Sequence, residues 1–486
     1  MMGSPGNQQA MQQMVDLDRR RFMTSSASGL GAAALASLMK QDGLLGAEIG
    51  SRPASALEPH FAPKATSCIF IFLGGGSSQL EMFEPKPKLK EYAGQPLPES
   101  MRKHLRFAFI SPDSALRPSN FNFARYGQSG MHFSKDLVPQ MAGHADDICM
   151  IRSMHCGQFN HQPAHLKMST GYDAAGFPSV GAWVTYGLGS MSQNLPMYVA
   201  LAGPRVTGGP ANWGNGFLPT RYQGVRFRSN GEPILYLDDP KGISREGQAR
   251  AVEGMRQLAQ MQQGGRPSGI DDQIARYELA FRMQTAGPEL VDLSGESEPL
   301  KEAYGITGEG RDGRAQNFST NCLLARRLVE RGVRFVTLYD GGWDQHDNMD
   351  ASLQSNCKRI DQPIAALLAD LKQRGMLEQT LVVFGTEFGR TPLTQGPHDQ
   401  PQGGRDHHPY AFNLWMAGGG VRGGHVHGET DDFGYQITAD GVHTHDFHAT
   451  LLHLMGLNHT RLTYTSQGRR FRLTDVAGEV VRPILA

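Results

Sequence analysis

Acidic and imidazole side chains near residue 400 give the first indication of chemistry. Glu387 follows an unbroken apolar run at residues 381–384, and a later glycine-rich segment, GGRDHHP, contains His407 and His408. Carboxylate oxygens and imidazole nitrogens are common ligands of divalent ions, so this arrangement indicates a metal site. The alternative is that Glu387 is a solvated loop carboxylate and that both histidines lie at the surface.

A second acid and histidine pair follows another apolar run. Residues 333–339, VRFVTLY, precede GGWDQHD, which contains Asp344 and His346. Apolar residues recur with a 3.6-residue period over residues 352–374, which predicts a helix between the two runs. A strand, a crossover helix and a strand form a right-handed parallel unit whose strand ends lie at one edge of the sheet. We therefore expect Asp344 and Glu387 to converge, whereas the alternative is unrelated loop groups.

His161 and His165 are four residues apart in the segment HQPAHLKMSTG. If Pro163 lies in the first turn of a helix, its missing N–H costs little, and both imidazoles face the same side. This spacing suits metal binding or acid–base chemistry, and helix capping is the alternative. Ten of the 18 histidines lie between His398 and His459 and five lie between His132 and His165, as expected if two segments meet at one site.

Alternating strands and helices must position these side chains. Unbroken apolar strands are typical of a parallel sheet that is covered on both faces. The predicted fold is therefore α/β, with a mostly parallel central sheet and helices on both faces. Residues 203–315 are predicted to be an insertion of loops and helices. Further predicted strands lie at 68–73, 147–153, 196–201 and 413–417, and predicted helices at 179–189, 245–263, 271–284, 317–331 and 446–457.

The N-terminus carries a pattern typical of export. Arg19, Arg20 and Phe22 precede a weakly hydrophobic stretch rich in Ala, Ser and Gly, which resembles a twin-arginine signal. A basic amphipathic helix is the alternative. We predict a signal and linker over residues 1–56, a domain over 57–486, and a periplasmic or extracellular protein. No later segment is long and apolar enough to span a bilayer.

Composition excludes several classes of protein. Lys+Arg and Asp+Glu are both 47, so the net charge is zero, which does not favour nucleic acid as a partner. A hydrophobic content of 39% indicates a folded globular protein. The five cysteines form no C-x-x-C pair, which argues against a zinc ribbon or a disulfide framework and predicts core positions.

Several motifs together resemble one family. They are IFLGGGSSQLEMFEPKP, NHQPAHLKMSTG, SVGAWVTYGLG, GGWDQHDN, TEFGRTP, GRDHHP and DFHATLLHLMGLN, and they extend over nearly the whole chain after the signal. They resemble the exported bacterial family catalogued as domain of unknown function 1501, which is similar to the alkaline phosphatase and sulfatase superfamily. The resemblance implies an alkaline-phosphatase-like fold and hydrolysis of phosphate or sulfate esters at a divalent metal centre.

The resemblance also implies which residues bind the metal. Glu387 takes the place of the metal-binding acid of the superfamily, although Phe388 replaces the neighbouring histidine. Asp344 and His346 resemble the pair at the other metal position, and His407 or His408 resembles its final histidine.

Other positions depart from the superfamily pattern. His161 stands at the place of the nucleophile and His165 at the place of an arginine, so the usual covalent step is in doubt. The first strand ends in Gly74 and Gly75, where the superfamily usually has an aspartate. Two acids, Glu81 and Glu84, follow these glycines. His161 is then either a nucleophile or a metal ligand beside an activated water, and we favour the water.

The sequence thus predicts an exported hydrolase of sulfate or phosphate esters, either small molecules or glycans, that depends on Zn, Ca or Mn. Arg390 and Arg405 are predicted to clamp the anion, because guanidinium groups match tetrahedral oxyanions. The alternative is a non-catalytic exported binding protein that keeps the fold but has lost one metal position. The predicted catalytic residues are His161, His165, Arg390 and Arg405, and the predicted metal ligands are Asp344, His346, Glu387, His407 and His408.

Overall fold

A computed structural model describes residues 58–102, 109–111, 113–203, 205–228, 244–263, 269–306, 313–396 and 403–486. The predicted signal and linker, residues 1–56, lie outside this part of the chain. Within it, no helix combines the length and the apolar character that crossing a membrane requires.

A central sheet organises the domain. Its strands are β1 Ser67–Gly74, β4 Ile148–His155, β5 Tyr198–Leu201, β6 Val225–Phe227, β7 Phe335–Gly341, β8 Thr380–Thr386, β11 Phe412–Ala417, β12 His425–His427 and β15 Val442–His443. In the described ranges they form one sheet in the order β12-β4-β11-β8-β1-β7-β5-β6, with β15 also beside β4. Only the pairings of β11 are antiparallel in this sheet. The predicted mostly parallel sheet is confirmed.

Short antiparallel pairs lie beside this sheet. The pair that matters for the site is β9 Gly389–Gln395 with β10 Gly404–His408, where His407 lies opposite Arg390 and a bulge interrupts the register. The other pairs are β2 Phe123–Tyr126 with β3 Met131–Ser134, β13 Glu429–Thr430 with β14 Ile437–Ala439, and β16 Tyr464–Ser466 with β17 Arg469–Phe471.

Helices cover both faces of the sheet, as predicted. They are α1 Gln79–Met82, α2 Pro87–Glu91, α3 Glu99–Arg102, α4 His161–Thr170, α5 Val180–Leu188, α6 Arg245–Gln263, α7 Gly269–Val291, α8 Glu298–Tyr304, α9 Gly313–Glu330, α10 Met349–Gln373 and α11 Thr444–Leu454. Helices α9 and α10 pack in one apolar core, whereas α4, α5 and α11 pack in another. Within residues 203–315, β6 also joins the sheet beside β5.

The alternation of side chains along β1 explains the two cores. Ile69 and Ile71 face the core that contains α9 and α10, whereas Phe70 and Phe72 face the opposite core. A strand that buries both faces needs apolar residues at every position, which is why β1 shows no polar alternation. All five cysteines are buried and free, so their predicted core positions are confirmed.

The register of the three central strands brings the predicted clusters together. Gly74 at the end of β1 pairs with Gly341 of β7, and Leu73 pairs with Thr386 of β8. The segments that follow β7 and β8 therefore begin on the two sides of the end of β1, at the carboxyl edge of the sheet. The predicted convergence of Asp344 and Glu387 at this edge is confirmed, since His161 contacts both.

Candidate metal centre

Four side chains from three parts of the chain form one cluster at this edge. His161 is the first residue of α4, Asp344 and His346 follow β7, and His407 lies in β10. One possible ligand atom from each residue lies within 4.8 Å of those of the others. We call these four residues the Asp344 cluster.

Asp344 is the centre of the cluster. Its Oδ1 lies 2.8 Å from His346 Nε2 and 3.2 Å from His407 Nε2, and its Oδ2 lies 3.1 Å from His161 Nε2. The His161 contact is close enough for a charged pair, but its direction is not that of a hydrogen bond. The Asp344 side chain is 44% exposed, so the cluster opens to solvent at this carboxylate.

The outer nitrogens of the three imidazoles have oxygen partners. His407 Nδ1 lies 2.7 Å from the carbonyl oxygen of Phe159, His161 Nδ1 lies 2.7 Å from Glu387 Oε1, and His346 Nδ1 contacts Gln395 Oε1. A carbonyl oxygen can only accept, so His407 Nδ1 donates its hydrogen there. Second partners of this kind orient the histidine ligands of metal ions and fix their tautomer.

The tautomer of His407 leaves two acceptors facing each other. Burial, and then the charges of Arg390 and His161, lower the pKa of His407 despite its contact with Asp344, so the ring is neutral at neutral pH. With its hydrogen on Nδ1, His407 has a lone pair on Nε2, which faces the Asp344 carboxylate and lies 2.9 Å from His346 Nε2. Such converging lone pairs fit a bound cation.

A second, smaller group shares His161 with the first. His165 Nε2 lies 3.2 Å from Glu387 Oε1, so His161, His165 and Glu387 form another set of possible ligands. The predicted common face of the two histidines is confirmed, because α4 begins at His161 and Pro163 lies in its first turn. Glu387 is fully buried, and it also accepts hydrogen bonds from the N–H of Gly75 and the hydroxyl of Thr386.

The shared position between two carboxylates perturbs the acid–base behaviour of His161. Burial opposes protonation, but the close contacts with Asp344 and Glu387 and the negative charges of both carboxylates outweigh burial and raise the pKa of His161 to about 9. Burial also disfavours the charged form of Glu387 and would raise its pKa. The charge of His165 and the hydrogen bond of His161 nevertheless hold the pKa of Glu387 well below its usual range. The metal-free cluster therefore holds an imidazolium between two carboxylates.

The predicted anion clamp at Arg390 is wrong. Its guanidinium is buried and donates to the backbone oxygens of Gly75, Gly76, Trp343 and Arg405, and NH2 also donates to Asp344 Oδ1 at 2.8 Å. Because these contacts occupy Nε, NH1 and NH2, the side chain holds Asp344 in place and does not face a substrate.

The predicted clamp at Arg405 is also wrong, as is the predicted ligand His408. Arg405 is fully buried, and its NH2 lies 2.6 Å from Oε1 of Glu81, an acid that is equally buried. His408 Nε2 donates to the carbonyl oxygen of Tyr435 at 2.8 Å. Adjacent residues of a strand point to opposite sides, so only His407 of the pair reaches the cluster.

Glycines at the end of β1 allow the loops to approach closely. Gly75 has φ +127°, and a Cβ there would lie 2.4 Å from the backbone nitrogen of Asp344. A Cβ on Gly74 would lie 2.9 Å from His165 Cε1. Gly75 thus makes room for the loop that carries Asp344, and Gly74 makes room for the ring of His165.

Sequence reasoning missed the outer partners. Gln395 belongs to β9, and Phe159 contributes only its backbone oxygen. A backbone acceptor carries no side-chain signal, so only the path of the chain could reveal it. Gln395 is five residues after Arg390, on the strand that pairs with His407, and a prediction of that hairpin would have found it.

Comparison with solved structures finds distant likenesses. PsFucS1 sulfatase from Pseudoalteromonas sp. is 11% identical, with 81% of this chain and 68% of that chain covered and a TM-score of 0.35. The phosphonate monoester hydrolase SpPMH from Silicibacter pomeroyi is 11% identical, with 86% and 76% covered and a TM-score of 0.37. A mutant of TAB5 alkaline phosphatase with Mg bound is 11% identical, with 82% and 99% covered and a TM-score of 0.35.

Likenesses at these scores say nothing about activity. A comparison with curated proteins found no match. The sequence itself identifies the family, because residues 65–485 match the family described as "Protein of unknown function (DUF1501)". The match covers most of the 486 residues, and the chain belongs to this family.

Proposed function

We propose that this chain is an exported, metal-dependent hydrolase of sulfate or phosphate esters. The observation that carries the proposal is the contact between His407 and Asp344. A neutral imidazole lone pair and a carboxylate oxygen lie 3.2 Å apart, and a cation would satisfy both. Without one, two acceptors face each other at the carboxyl edge of the sheet, where open α/β folds bind their ligands.

The donor set fits a divalent transition metal. His161, Asp344, His346 and His407 would hold the ion, and Glu387 would act as the outer partner of His161 through the 2.7 Å contact to Nδ1. Three imidazoles suit zinc better than calcium or manganese, which both prefer oxygen ligands. The buried His161 Nε2 has no hydrogen-bond partner, as expected for a ligand atom.

The bound ion would supply an electrophile for the ester and lower the pKa of a water from about 16 towards 7. Asp344 and His346 lie on the exposed side of the cluster, where an ester could reach them. Both ring nitrogens of His161 face carboxylates, so neither lone pair is directed at a substrate. This arrangement favours attack by water over a covalent step at His161.

A specific observation favours the alternative, a non-catalytic exported binding protein. Arg390 and Arg405 are both fully buried and bonded within the domain, so neither predicted clamp can neutralise an anionic ester. Hydrolysis would then need the metal and the imidazoles to balance the charge of the substrate. A protein that only binds its ligand would not have to stabilise the additional charge that develops in the transition state.

Elemental analysis followed by ester assays tests the proposal. We expect purified full-length protein to contain a divalent metal and, once loaded with it, to hydrolyse 4-nitrophenyl sulfate or 4-nitrophenyl phosphate. Asp344→Ala should lose metal and turnover together. Asp361→Asn, at a buried acid that contacts the backbone of Gln140 and Met141, is the control and should keep both. Metal binding without turnover of either ester would favour the binding protein, and absence of metal would refute the proposed hydrolase.

The proposed export is tested separately. Arg19 and Arg20 lie outside the described residues, so this part of the proposal depends on the sequence pattern alone. Fractionation of cells that express the full chain should place the wild type outside the cytoplasm. Replacement of Arg19 and Arg20 together by lysine should retain it in the cytoplasm, and export of this variant would refute the twin-arginine route.

A further inference from the structure

An exposed aromatic ring stands against one residue of the Asp344 cluster. The ring of Phe109 lies 5.5 Å from the ring of His407, edge to face, and Phe109 is 60% exposed. Single exposed apolar residues are common and need no explanation by themselves. Phe109 differs because its ring contacts a proposed metal ligand.

A buried carboxylate fixes Phe109 in this place. Asp406 is fully buried, its Oδ2 accepts the backbone N–H of Phe109 at 2.9 Å, and its Oδ1 accepts the backbone N–H of His407 at 2.8 Å. One rigid side chain thus positions both the proposed ligand and the exposed ring. A loop that only crossed the surface would not need an anchor that it shares with His407.

A second aromatic residue contacts the same ligand through its backbone. Phe159, whose carbonyl oxygen orients His407, is half-buried, and its ring meets the half-buried ring of Tyr410 edge to face at 5.5 Å. The ring of Phe388 also lies against His407, with the ring centres 4.5 Å apart. Aromatic rings thus border His407, whereas the predicted arginines point into the protein.

We propose that Phe109 determines substrate specificity by contacting a ring on the alcohol side of the ester. The substrate class is a sulfate or phosphate ester whose ester group is attached to, or one carbon away from, a six-membered ring with an apolar face. An aryl ring and a sugar ring share this chemistry. The inference rests on the proposed function, because it needs an oxyanion to bind at the Asp344 cluster.

Binding of phosphonates to the cobalt-loaded full-length protein tests this inference without turnover. The probes are phenylphosphonate, a hexose 6-phosphonate and methylphosphonate, which carry an aryl ring, a sugar ring and no ring. Changes in the visible cobalt spectrum report each dissociation constant. The variants are Phe109→Ala, Phe109→Tyr, which keeps a ring, and Tyr277→Ala, which removes a ring that is 53% exposed on α7.

We expect the wild type to bind at least one ring-bearing probe more tightly than methylphosphonate. Aromatic contacts contribute about 0.5–1.5 kcal/mol, so Phe109→Ala should weaken that probe about two- to tenfold and leave methylphosphonate unchanged. Phe109→Tyr and Tyr277→Ala should retain the preference, and the preferred probe distinguishes aryl from sugar substrates.

Two results would overturn the inference, and they differ from each other. In the first result, phosphonates bind, but either Phe109→Ala keeps the wild-type preference for a ring-bearing probe or the wild type shows no such preference. Phe109 then does not determine specificity, and the proposed function stands. If no phosphonate alters the cobalt spectrum, the cluster does not take a tetrahedral oxyanion. The proposed function then fails together with this inference.

Discussion

Glu387→Gln separates the two possible roles of the most buried acid at the site. In the Asp344 cluster, Glu387 is an outer partner that orients His161, whereas in the smaller group it is itself a ligand beside His165. Glutamine keeps the size of the side chain and one oxygen acceptor. It removes the negative charge, and its amide nitrogen cannot accept a hydrogen bond.

The contacts of Glu387 set the expected size of the effect. As an outer partner, it contributes one charge-assisted hydrogen bond, from His161 Nδ1 at 2.7 Å. Hydrogen bonds to charged groups contribute about 1.5–3 kcal/mol, which corresponds to a change in affinity of about 10–100-fold. Loss of an outer partner in other metal sites has a similar effect, about 10–100-fold. A direct ligand would cost considerably more.

Competition with a chelator of known affinity measures the zinc dissociation constant of wild type and variant at one pH. Asp361→Asn is the matched control, because it neutralises another buried acid without a contact to the cluster. We expect Glu387→Gln to weaken binding about 10–100-fold and the control to have no effect. An unchanged constant in Glu387→Gln would refute the outer-partner role, and a loss well beyond about 100-fold would show that Glu387 binds the ion directly.

Three further predictions address the frame, the ligand set and the pH dependence of the site. Gly75→Ala should lower the free energy of unfolding by about 2–4 kcal/mol in urea titrations, and the variant should also lose metal. The reason is that its Cβ would lie 2.4 Å from the backbone nitrogen of Asp344. Normal stability of the variant would contradict this prediction. His346→Ala should lose metal in elemental analysis whereas His408→Ala keeps it, and the reverse result would refute the ligand set. The raised pKa of His161, about 9 against an ordinary 6.5, stabilises the metal-free fold fully below pH 6.5, and this contribution disappears as pH rises through 9. The melting-temperature difference between wild type and His161→Gln should therefore shrink over that interval, and a constant difference would contradict it.

The fold was accessible from sequence because its determinants are local and repetitive. The unbroken apolar run at β1 and the 3.6-residue period in α10 each indicate one type of element. Right-handed crossover then places the ends of β7 and β8 together without knowledge of any contact. Glu387, Asp344 and His346 were found for this reason, since they directly follow strands whose ends the topology brings together.

The errors concern the direction of side chains, which local patterns do not determine. Arg390 and Arg405 lie in the two strands of one hairpin, and both guanidinium groups point into the domain. Arg405 pairs with Glu81 across 324 positions of sequence, so no local pattern indicates its partner. His407 and His408 could not be separated either, because the bulge between Arg405 and His407 changes which side chain faces the cluster.

The position of His161 between two carboxylates connects these results. From sequence, His161 was either a nucleophile or a ligand, because its place in the chain matched one role and its residue type suited both. In the fold, Nδ1 faces a fully buried acid and Nε2 faces an exposed one. The buried contact of Nδ1 orients the ring. A proton and a metal ion therefore compete for the other nitrogen, Nε2. A nucleophile would need that same lone pair directed at a substrate, and the carboxylate of Asp344 already lies there. The geometry therefore favours His161 as a ligand whose metal binding displaces a proton.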